Sequence, residues 1–222
     1  MTPRHDSANR GVLVSDFDGT MTRYDFYKLA IERLLRPDTP DHWAGYREGT
    51  LTHFEALRRY FAEIRASEAE VLAVVEAMEL DPNLGAAVEA LRQAGWRVVV
   101  TSAGCEWYIR RLLGSIEVEV HSNPGHFEPG RGLLMEMPES SPYLSPTLGV
   151  DKARIVRQHV DAGHTVAFAG DGFPDEEAAR LVPGDLRFAR GDLAARLEAG
   201  TMAFRPFDAW SDIARELIGR SV

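Results

Sequence analysis

Hydrophobic residues along this chain fall into short runs, and most runs are followed by an amphipathic segment. The first run, residues 12–15, is typical of a buried strand. From residue 81 onward, similar runs alternate with segments whose apolar residues recur at three- and four-residue spacing. This alternation is typical of a parallel sheet covered by helices on both faces. The pattern therefore predicts an α/β fold with a Rossmann-like parallel sheet as its core.

The second part of the chain predicts four more strands and six helices. The strands are expected at residues 96–102, 118–123, 164–170 and 186–190. The helices are expected at about residues 81–95, 105–113, 151–162, 175–182, 192–200 and 208–219. Asp81 is the expected N-cap of the first of these helices, and Pro82 stands at its first position.

Residues 24–79 interrupt the alternation directly after the first strand. Three segments there have helical spacing, FYKLAIERLL, HFEALRRYFAEI and EAEVLAVVEAMEL, and the polar sequence RPDTPDHWAGYREGT separates the first two. We therefore predict a core made of residues 1–23 and 80–222. Residues 24–79 are the predicted helical cap, inserted after the first strand.

The stretch between residues 121 and 150 shows no regular hydrophobic period. Five of the twelve prolines lie in residues 124–149, which predicts a loop-rich segment. We expect this segment to form a second, smaller flap over the same opening that the cap covers.

Composition limits the classes of function. The chain has 222 residues, 45% of them hydrophobic, which is enough for one sizeable core and a small appendage. The formal net charge of −9 argues against a nucleic-acid partner, which needs a basic face. The sequence lacks an apolar run of the roughly 18 residues that a membrane helix needs, and residues 1–10 lack the apolar centre of a secretory signal. We expect a cytoplasmic protein without a membrane partner.

The cysteine and histidine patterns argue against two further kinds of site. The chain has one cysteine, Cys105, so no internal disulfide can form, which suits a reducing cytoplasm. We expect this thiol to pack in the interior rather than to act as a nucleophile. The seven histidines have no HxxxH or Cys/His ligand spacing, so a zinc site is not predicted.

Polar side chains stand where three predicted strands end. They are Asp16 and Asp18 after the first strand, Ser102 in the sequence TSAG, and Asp171 and Asp175 in the sequence GDGFPD. Lys152 stands near the start of the helix before the last of these strands. The carboxyl ends of parallel strands lie along one edge of the sheet, where ligands bind. We therefore expect these side chains to converge.

Carboxylates that converge in one crevice repel each other unless a cation lies among them. Hard oxygen ligands of this kind suit Mg²⁺, which shares its coordination shell with a substrate phosphate. We expect the side chains of Asp16 and Asp171 to bind this ion. Asp16 can then attack a phosphoryl group and form an aspartyl-phosphate. Asp18 can give a proton to the leaving alcohol and later take one from the hydrolytic water.

Three further residues are expected at the phosphate. Gly19 lets the backbone turn sharply, so that nearby N–H groups point at the phosphate. Ser102 supplies a hydroxyl donor, and Lys152 supplies a positive charge to the phosphate and to Asp16. Each motif alone also has an ordinary explanation, namely an Asx turn, a helix N-cap, a GDG turn or a solvated lysine. Their occurrence together, in this order, favours the catalytic interpretation.

Four motifs in this order resemble those of the haloacid dehalogenase superfamily. They are DFDGT at residues 16–20, VVVTSAG at 98–104, GVDKARIV at 149–156 and GDGFPDE at 170–176. The resemblance covers nearly the whole chain from about residue 11.

The resemblance implies a role for each of these positions. Asp16 is the implied nucleophile, and Asp18 is the implied acid and base. The implied Mg²⁺ ligands are Asp16, the backbone carbonyl of Asp18, and Asp171. Asp175 would position Lys152 or the waters of the metal. Phosphatases and phosphomutases of this superfamily keep the second aspartate, so Asp18 favours those two activities.

The helical insert resembles the cap of the phosphoserine-phosphatase-like branch, and the overall pattern is most similar to that of the methionine-salvage phosphatases. In phosphoserine enzymes an acidic residue soon after the first motif holds the substrate amine, and Asp25 has that spacing. Their cap arginine aligns with Tyr60, and Arg58 lies nearby. These three residues are the candidates for substrate binding. Pro174 stands where those enzymes have asparagine, which argues against phosphoserine as the substrate.

Four aromatic residues of the cap have two open explanations. They are Trp43, Tyr46, Phe54 and Tyr60. They either line a substrate pocket or pack between the cap helices, and packing is the default expectation.

The sequence thus predicts a Mg²⁺-dependent phosphatase that hydrolyses a small phosphorylated metabolite through an aspartyl-phosphate. Two alternatives stay open. A phosphomutase or phosphotransferase of the same fold would pass the phosphoryl group to a second substrate instead of water. A non-catalytic module would keep the acidic pocket only to bind Mg²⁺ and phosphate. A homodimer is a compatible assembly that the sequence does not specify.

Overall fold

The computed structural model describes residues 11–219 of the chain, so the segment used to argue against a secretory signal lies outside the described residues. In chain order the strands are β1 (Gly11–Ser15), β2 (Trp96–Cys105), β3 (Glu119–Asn123), β4 (Gly125–Glu128), β5 (Gly132–Met135), β6 (Leu144–Ser145), β7 (Gly149–Val150), β8 (Thr165–Gly170), β9 (Arg187–Ala189) and β10 (Arg205–Pro206). The α-helices are α1 (Phe26–Arg33), α2 (His42–Arg47), α3 (His53–Ala62), α4 (Glu68–Glu76), α5 (Leu84–Gln93), α6 (Glu106–Leu113), α7 (Lys152–Asp161), α8 (Glu176–Arg180), α9 (Gly191–Ala199) and α10 (Trp210–Ile218). None of the helices in this described part has the length and apolarity that a membrane crossing requires.

Six strands form one parallel sheet in the order β10-β9-β8-β1-β2-β3. β1 lies inside the sheet, with β2 and β8 as its parallel neighbours. The predicted α/β fold with a Rossmann-like parallel sheet is therefore confirmed. All five predicted strands belong to this sheet. The sixth, β10, was not predicted because it has only two residues, one of them Pro206.

The side chains of β1 alternate between two hydrophobic cores on opposite faces of the sheet. Leu13 belongs to the core that also contains Phe26 of α1. Val12 and Val14 belong to the core that contains Ile155 of α7. Because both faces are covered, the whole strand is buried, and its sequence is an unbroken apolar run rather than an alternating one.

Helices α1–α4 lie between β1 and β2 in sequence, where helices were predicted. An isolated antiparallel bridge joins Thr22 to Leu80, so the two ends of this helical segment lie side by side. α3 begins with a capping box in which Thr52 and Glu55 bind each other's backbone amides. The interpretation of residues 24–79 as a separate cap stays a prediction.

The polar stretch predicted to separate two helices contains a helix itself. α2 follows Asp41, whose side chain accepts a hydrogen bond from the backbone N–H of Ala44 at 3.1 Å. The helix has six residues, which is less than two turns, so its apolar residues cannot repeat often enough to show a period.

α5 begins at Leu84, so the prediction that Asp81 caps this helix is wrong. Oδ1 of Asp81 accepts a hydrogen bond from the N–H of Asn83 at 2.8 Å, which closes a turn before the helix. Oδ2 accepts from the N–H of Ser211 at 2.7 Å, at the start of α10. Asp81 therefore joins the beginnings of two helices instead of capping one.

Residues 124–149 are more regular than predicted, since they contain the antiparallel pair β4–β5 and part of the pair β6–β7. Gly132 of β5 has a φ of 87° and lies so close to α3 that a Cβ there would be 2.5 Å from the carbonyl oxygen of Phe61. The carbonyl oxygen of Thr147 accepts a hydrogen bond from the N–H of Phe54 at 2.9 Å. We call these two contacts the α3 anchor.

Candidate active site

A cavity of about 510 Å³ lies at the carboxyl ends of β1, β2 and β8. Six of the residues predicted to carry chemistry line it, namely Asp16, Asp18, Ser102, Lys152, Asp171 and Asp175. These strands are adjacent and parallel, so their ends meet at one edge although their residues are far apart in sequence. We call the part formed by the four aspartates and Lys152 the acidic end.

Asp16 directly follows β1, and its side chain is buried. Lys152 Nζ donates a hydrogen bond to Oδ1 at 2.6 Å, and Thr20 Oγ1 donates to Oδ2 at 3.0 Å. The same threonine hydroxyl lies 3.3 Å from Oδ1 of Asp171. Burial, and then the negative charge of Asp175, raise the pKa of Asp16 to about 6, although Lys152 opposes this rise.

Lys152 is the first residue of α7, which Asp151 caps by accepting a hydrogen bond from the N–H of Arg154 at 2.8 Å. The ammonium group is buried and lies 2.6 Å from a carboxylate oxygen of both Asp16 and Asp175. Burial opposes its charge, but the two carboxylates outweigh burial and raise the pKa of Lys152 above its usual value. The side chain is therefore a fixed positive charge beside Asp16.

Asp175 holds the loop that carries Asp171. Its Oδ2 accepts hydrogen bonds from the backbone N–H groups of Asp171 and Gly172 at 3.1 and 3.0 Å, while its Oδ1 binds Lys152. Burial, and then the charges of Asp16 and Asp175, raise the pKa of Asp171 to about 9. A carboxyl group with such a pKa keeps its proton at neutral pH unless a cation takes the proton's place.

The acidic end fits a divalent cation. One oxygen from each of Asp16, Asp171 and Asp175 lies within 4.8 Å of the other two. Carboxylate oxygens are the ligands that Mg²⁺ prefers, and the raised pKa values of Asp16 and Asp171 mean that Lys152 alone does not offset the negative charge. Asp175 is the least free of the three, because Lys152 and two backbone amides already bind it. The carboxylate of Asp18, whose backbone carbonyl is the predicted ligand, is not part of this group.

Three groups donate hydrogen bonds to the carboxylate of Asp18. The Tyr108 hydroxyl lies 2.9 Å from both oxygens, the Phe26 N–H lies 3.2 Å from Oδ1, and the Ser102 hydroxyl lies 3.1 Å from Oδ2. Burial, and then the charge of Asp16, raise the pKa of Asp18 to about 7. A carboxyl group with a pKa near neutrality can both give and accept a proton. Ser102, predicted at the phosphate, is bound to Asp18 here.

Sequence reasoning missed Tyr108. The residue stands on α6, and its ring stacks on that of Phe26 with centroids 4.5 Å apart. A tyrosine on the apolar face of an amphipathic helix indicates packing, and nothing in its spacing from the TSAG motif places its hydroxyl on Asp18.

Gly19 has a φ of 70°, a conformation that favours glycine. A Cβ at this position would overlap Oδ2 of Asp171, so the turn brings the backbone directly against that carboxylate. The N–H of Gly19 donates to Thr22 Oγ1 at 3.1 Å, and Gly19 is not among the described residues that line the cavity. Any role at the phosphate would come from the turn rather than from this amide.

Of the three predicted substrate-binding residues, only Asp25 lines the cavity. Its carboxylate forms an ion pair with Lys28 at 2.6 Å. Arg58 is exposed, and the hydroxyl of Tyr60 donates to Asp41 Oδ1 at 3.0 Å. The structure therefore does not bring Arg58 and Tyr60 to the site.

The orientation of α3 and the contacts of its side chains explain these two positions. His53, Leu57 and Phe61 line the cavity, and they follow one another at intervals of four residues. Residues three or four apart share one face of a helix, so Arg58 lies on another face, whereas Tyr60 lies beside the cavity-facing residues. Asp41 and the N–H of Trp43 bind the hydroxyl of Tyr60 and hold it outside the cavity. A sequence alignment does not show which face of α3 meets the cavity.

Another part of the cavity is aromatic, and we call it the aromatic wall. It consists of Trp43, Tyr46, His53 and Phe173. The rings of Tyr46 and Phe173 stack at 5.7 Å, and His53 meets Phe173 edge-on at 5.4 Å. Burial, and then the nearby charge of Lys152, lower the pKa of His53 to about 4, so this ring is neutral at physiological pH.

The four aromatic residues for which the sequence left two explanations open fall into two groups. Trp43 and Tyr46 line the cavity, whereas Phe54 and Tyr60 are buried elsewhere. His53 and Phe173 are not predicted from the sequence, because neither lies in an aromatic pattern. No residue between 121 and 150 lines this cavity, so the structure does not place the predicted second flap there. That segment supports α3 instead, through the α3 anchor.

Comparison with known proteins gives a family match and relatives that align over most of both chains. A family model described as haloacid dehalogenase-like hydrolase matches residues 13–180. A protein from Brevibacillus brevis named 2-hydroxy-3-keto-5-methylthiopentenyl-1-phosphate phosphatase is 24% identical over 216 residues, which cover 93% of this chain and 94% of that protein. A protein of the same name from an Exiguobacterium species is 26% identical over 220 residues, with 95% and 98% coverage.

Solved structures share the fold at low sequence identity. A HAD family hydrolase from Salmonella enterica superposes with a TM-score of 0.70 at 17% identity, covering all of this chain and 75% of the other. A phosphoserine phosphatase from T. onnurineus superposes with a TM-score of 0.63 at 18% identity, covering 99% and 100%.

Proposed function

Because the chain belongs to the haloacid dehalogenase-like hydrolase family, we propose that it is a phosphomonoester hydrolase that acts through an aspartyl-phosphate on Asp16. The observation that carries this proposal is the environment of Asp16. Its carboxylate lies between Lys152 and the Asp171 side chain, two residues before a second carboxylate whose pKa is about 7. These groups supply a nucleophile, a positive charge, a cation site and an acid/base in one cavity.

The residues of the acidic end divide the reaction between them. Asp16 attacks phosphorus while the bond to the leaving oxygen breaks, and the electron pair leaves with that oxygen. Asp18 gives this oxygen its proton, and then takes a proton from the water that attacks the aspartyl-phosphate. That second attack breaks the bond to Asp16 and releases inorganic phosphate. Lys152 and Ser102 hold the phosphoryl oxygens, and the turn at Gly19 brings the backbone close to them.

Asp16, Asp171 and the backbone carbonyl of Asp18 would hold Mg²⁺. When bound, the ion offsets negative charge on the carboxylates and on the phosphoryl oxygens. The helices of residues 24–79 cover the cavity and exclude water from the phosphoryl group.

The residues that line the cavity favour a substrate whose leaving group is small, uncharged and largely apolar. The aromatic wall adjoins Lys152, and aromatic rings pack well against apolar groups and thioether sulfur. A zwitterionic leaving group needs charges of both signs, but Asp25 is paired with Lys28 and Arg47 with Asp41. The printed name of the relatives, a methylthiopentenyl phosphate phosphatase, agrees with such a substrate.

Hydrolysis of p-nitrophenyl phosphate and of 2-hydroxy-3-keto-5-methylthiopentenyl-1-phosphate tests the function. We expect turnover with Mg²⁺, loss of turnover with EDTA, and a drop on the order of 10⁴-fold or more in Asp16→Asn. Asp38→Asn, at an exposed position, is the matched control and should keep full activity. Phosphate that appears on a sugar or other acceptor instead of in solution would favour a phosphotransferase. Binding of Mg²⁺ and phosphate by calorimetry without turnover would favour the non-catalytic module.

A further inference from the structure

The Asp18 carboxylate does not keep all of its hydrogen bonds during the proposed phosphoryl transfer. Its donors are the hydroxyl of Ser102, the N–H of Phe26 and the hydroxyl of Tyr108. In the proposed function Ser102 binds the phosphate, and its single hydroxyl proton cannot serve the phosphate and Asp18 at once. With substrate bound, Phe26 and Tyr108 are therefore the donors that remain.

These two donors hold Asp18 differently. The N–H of Phe26 reaches Oδ1 alone, at 3.2 Å. The hydroxyl of Tyr108 lies 2.9 Å from Oδ1 and 2.9 Å from Oδ2. A donor placed between both oxygens resists rotation of the carboxyl group, whereas a donor to one oxygen still permits it. Tyr108 is thus the contact that fixes the plane of Asp18.

Packing fixes Tyr108 in turn. Its side chain is 1% exposed, its ring stacks on Phe26, and it meets Phe61 edge-on with centroids 6.4 Å apart. The hydroxyl therefore has no free direction in which to turn away from Asp18. Burial, and then the charge of Asp18, raise the pKa of Tyr108 well above its usual value, so the hydroxyl keeps its proton and stays a donor.

Gly104 makes room for this contact. A Cβ at Gly104 would overlap the hydroxyl oxygen of Tyr108 and lie 2.9 Å from Oδ2 of Asp18. The backbone of Gly104 is not in the left-handed region, so its conformation does not require glycine. Glycine is required because the Tyr108 hydroxyl occupies the space that a side chain at position 104 would need.

We propose that Tyr108 is the positioning residue for the proton transfers of Asp18, and that Gly104 admits its hydroxyl to that carboxyl group. The proposal rests on the proposed function, because it assigns Tyr108 to the acid/base step. In that step the proton on Asp18 passes to the leaving-group oxygen as this oxygen takes the electron pair of the breaking P–O bond. If Asp18 rotates away, the oxygen must leave as an anion, which is costly for an alkanol and cheap for nitrophenol.

Leaving-group dependence separates positioning from mere packing. We would measure the first turnover of Tyr108→Phe with benzyl phosphate, whose alcohol needs a proton, and with p-nitrophenyl phosphate, whose phenolate does not. Release of benzyl alcohol should fall by about 10- to 100-fold and release of nitrophenolate by less than about 3-fold. The substrate concentration that gives half of the maximal first-turnover rate should stay unchanged for both.

Two further variants complete the test. Tyr143→Phe makes the same change at a hydroxyl that donates to Gln158 at 2.8 Å outside the cavity, and it should leave both rates unchanged. Gly104→Ala keeps the tyrosine but fills its space, and it should reproduce the selective loss on benzyl phosphate.

The outcomes are distinguishable. An equal loss on both substrates, or no loss on either, would overturn the role of Tyr108. Near-ultraviolet circular dichroism shows whether Tyr108→Phe folds. If it does not, the test uses Gly104→Ala and compares its rate loss on benzyl phosphate with its rate loss on p-nitrophenyl phosphate. A wild-type protein that hydrolyses neither ester would contradict the proposed function itself, whereas an active wild type with an unselective variant would contradict only the positioning role.

Discussion

The acidic end and the aromatic wall of the cavity differ in how the chain supplies their residues. The acidic end comes from the ends of β1 and β8 and from the first residue of α7. The aromatic wall comes mainly from α2 and α3, with Phe173 added from the loop after β8. Strand order fixes the first set, whereas the packing angle and rotation of short helices fix the second. One part of the cavity therefore follows from topology and the other from packing.

The two parts also respond to pH in opposite directions. The folded pKa values of Asp16, Asp18 and Asp171 are raised, so the folded state binds protons there more tightly than the unfolded state does. Their contribution to stability therefore falls as pH rises from about 4 towards 9 when no cation is bound. The folded pKa of His53 is lowered, so its contribution falls as pH decreases.

The largest effect is expected at the acidic end, from Lys152→Met. Loss of the charge between Asp16 and Asp175 should lower kcat/KM by about 10²- to 10³-fold, because phosphoryl oxygens lose their fixed positive partner. Lys28→Met is the comparison, since Lys28 is the other lysine of the chain and also lines the cavity. Steady-state kinetics should show a much smaller change there, and equal effects would contradict the role of Lys152.

The aromatic wall should dominate the acid sensitivity of folding. Between pH 6.5 and 4, His53 should cost the wild type about 3 kcal/mol of unfolding free energy, since the unfolded histidine takes up a proton that the buried ring resists. Urea unfolding at pH 7 and pH 4 should show that the unfolding free energy of His53→Phe depends less on pH than that of the wild type. His126→Phe, at an exposed histidine, should keep the wild-type dependence. The same slope in all three proteins would argue against a buried neutral ring.

Mg²⁺ should reverse the alkaline sensitivity of the acidic end. At pH 8, an ion concentration 100 times the Kd at that pH should raise the unfolding free energy by about 2.7 kcal/mol. The same ion concentration is then used at pH 5. The increase should be larger at pH 8 than at pH 5, because at pH 5 protons occupy the raised carboxyl groups and compete with the ion. Asp171→Asn should abolish most of the increase. Thermal unfolding with and without Mg²⁺ at both pH values checks this, and an effect independent of pH would count against the site.

The smallest effect concerns selectivity at the aromatic wall. Phe173→Leu removes the stack with Tyr46, and we expect kcat/KM for an ester with an apolar leaving group to fall by about 10-fold. Activity on methyl phosphate, which is too small to reach the wall, should change little. Arg58→Ala is the control, because this exposed side chain does not line the cavity, and both rates should stay the same. A uniform change across substrates would mean that Phe173 only supports the fold.

Much of the fold and of the acidic end could be predicted because both depend on strands. A buried run such as residues 12–15 identifies a strand, and Asp16 and Asp171 follow strand ends whose position in a parallel sheet is constrained. The conformation of Gly19 likewise agrees with the sharp turn predicted there.

The remaining parts could not be predicted, because spacing does not orient short elements. Arg58 lies on a face of α3 turned from the cavity. The hydroxyl of Tyr60 is held outside the cavity by Asp41 and Trp43, which its position in the sequence does not reveal. Tyr108 and His53 belong to apolar helix faces, where packing is the ordinary explanation. β10 and α2 are too short to show a hydrophobic period.

The α3 anchor has a consequence for how a substrate enters. Helices α1–α4 are connected to the rest of the chain beside the Thr22–Leu80 bridge. They are also held at Phe54, which binds the turn between β6 and β7, and at Phe61, which lies against β5. A body held at two separate places cannot pivot as one piece about either of them. While these ties persist, exchange of ester and alcohol must occur by local displacement of α1 and α2, with α3 as the stationary side of the entrance.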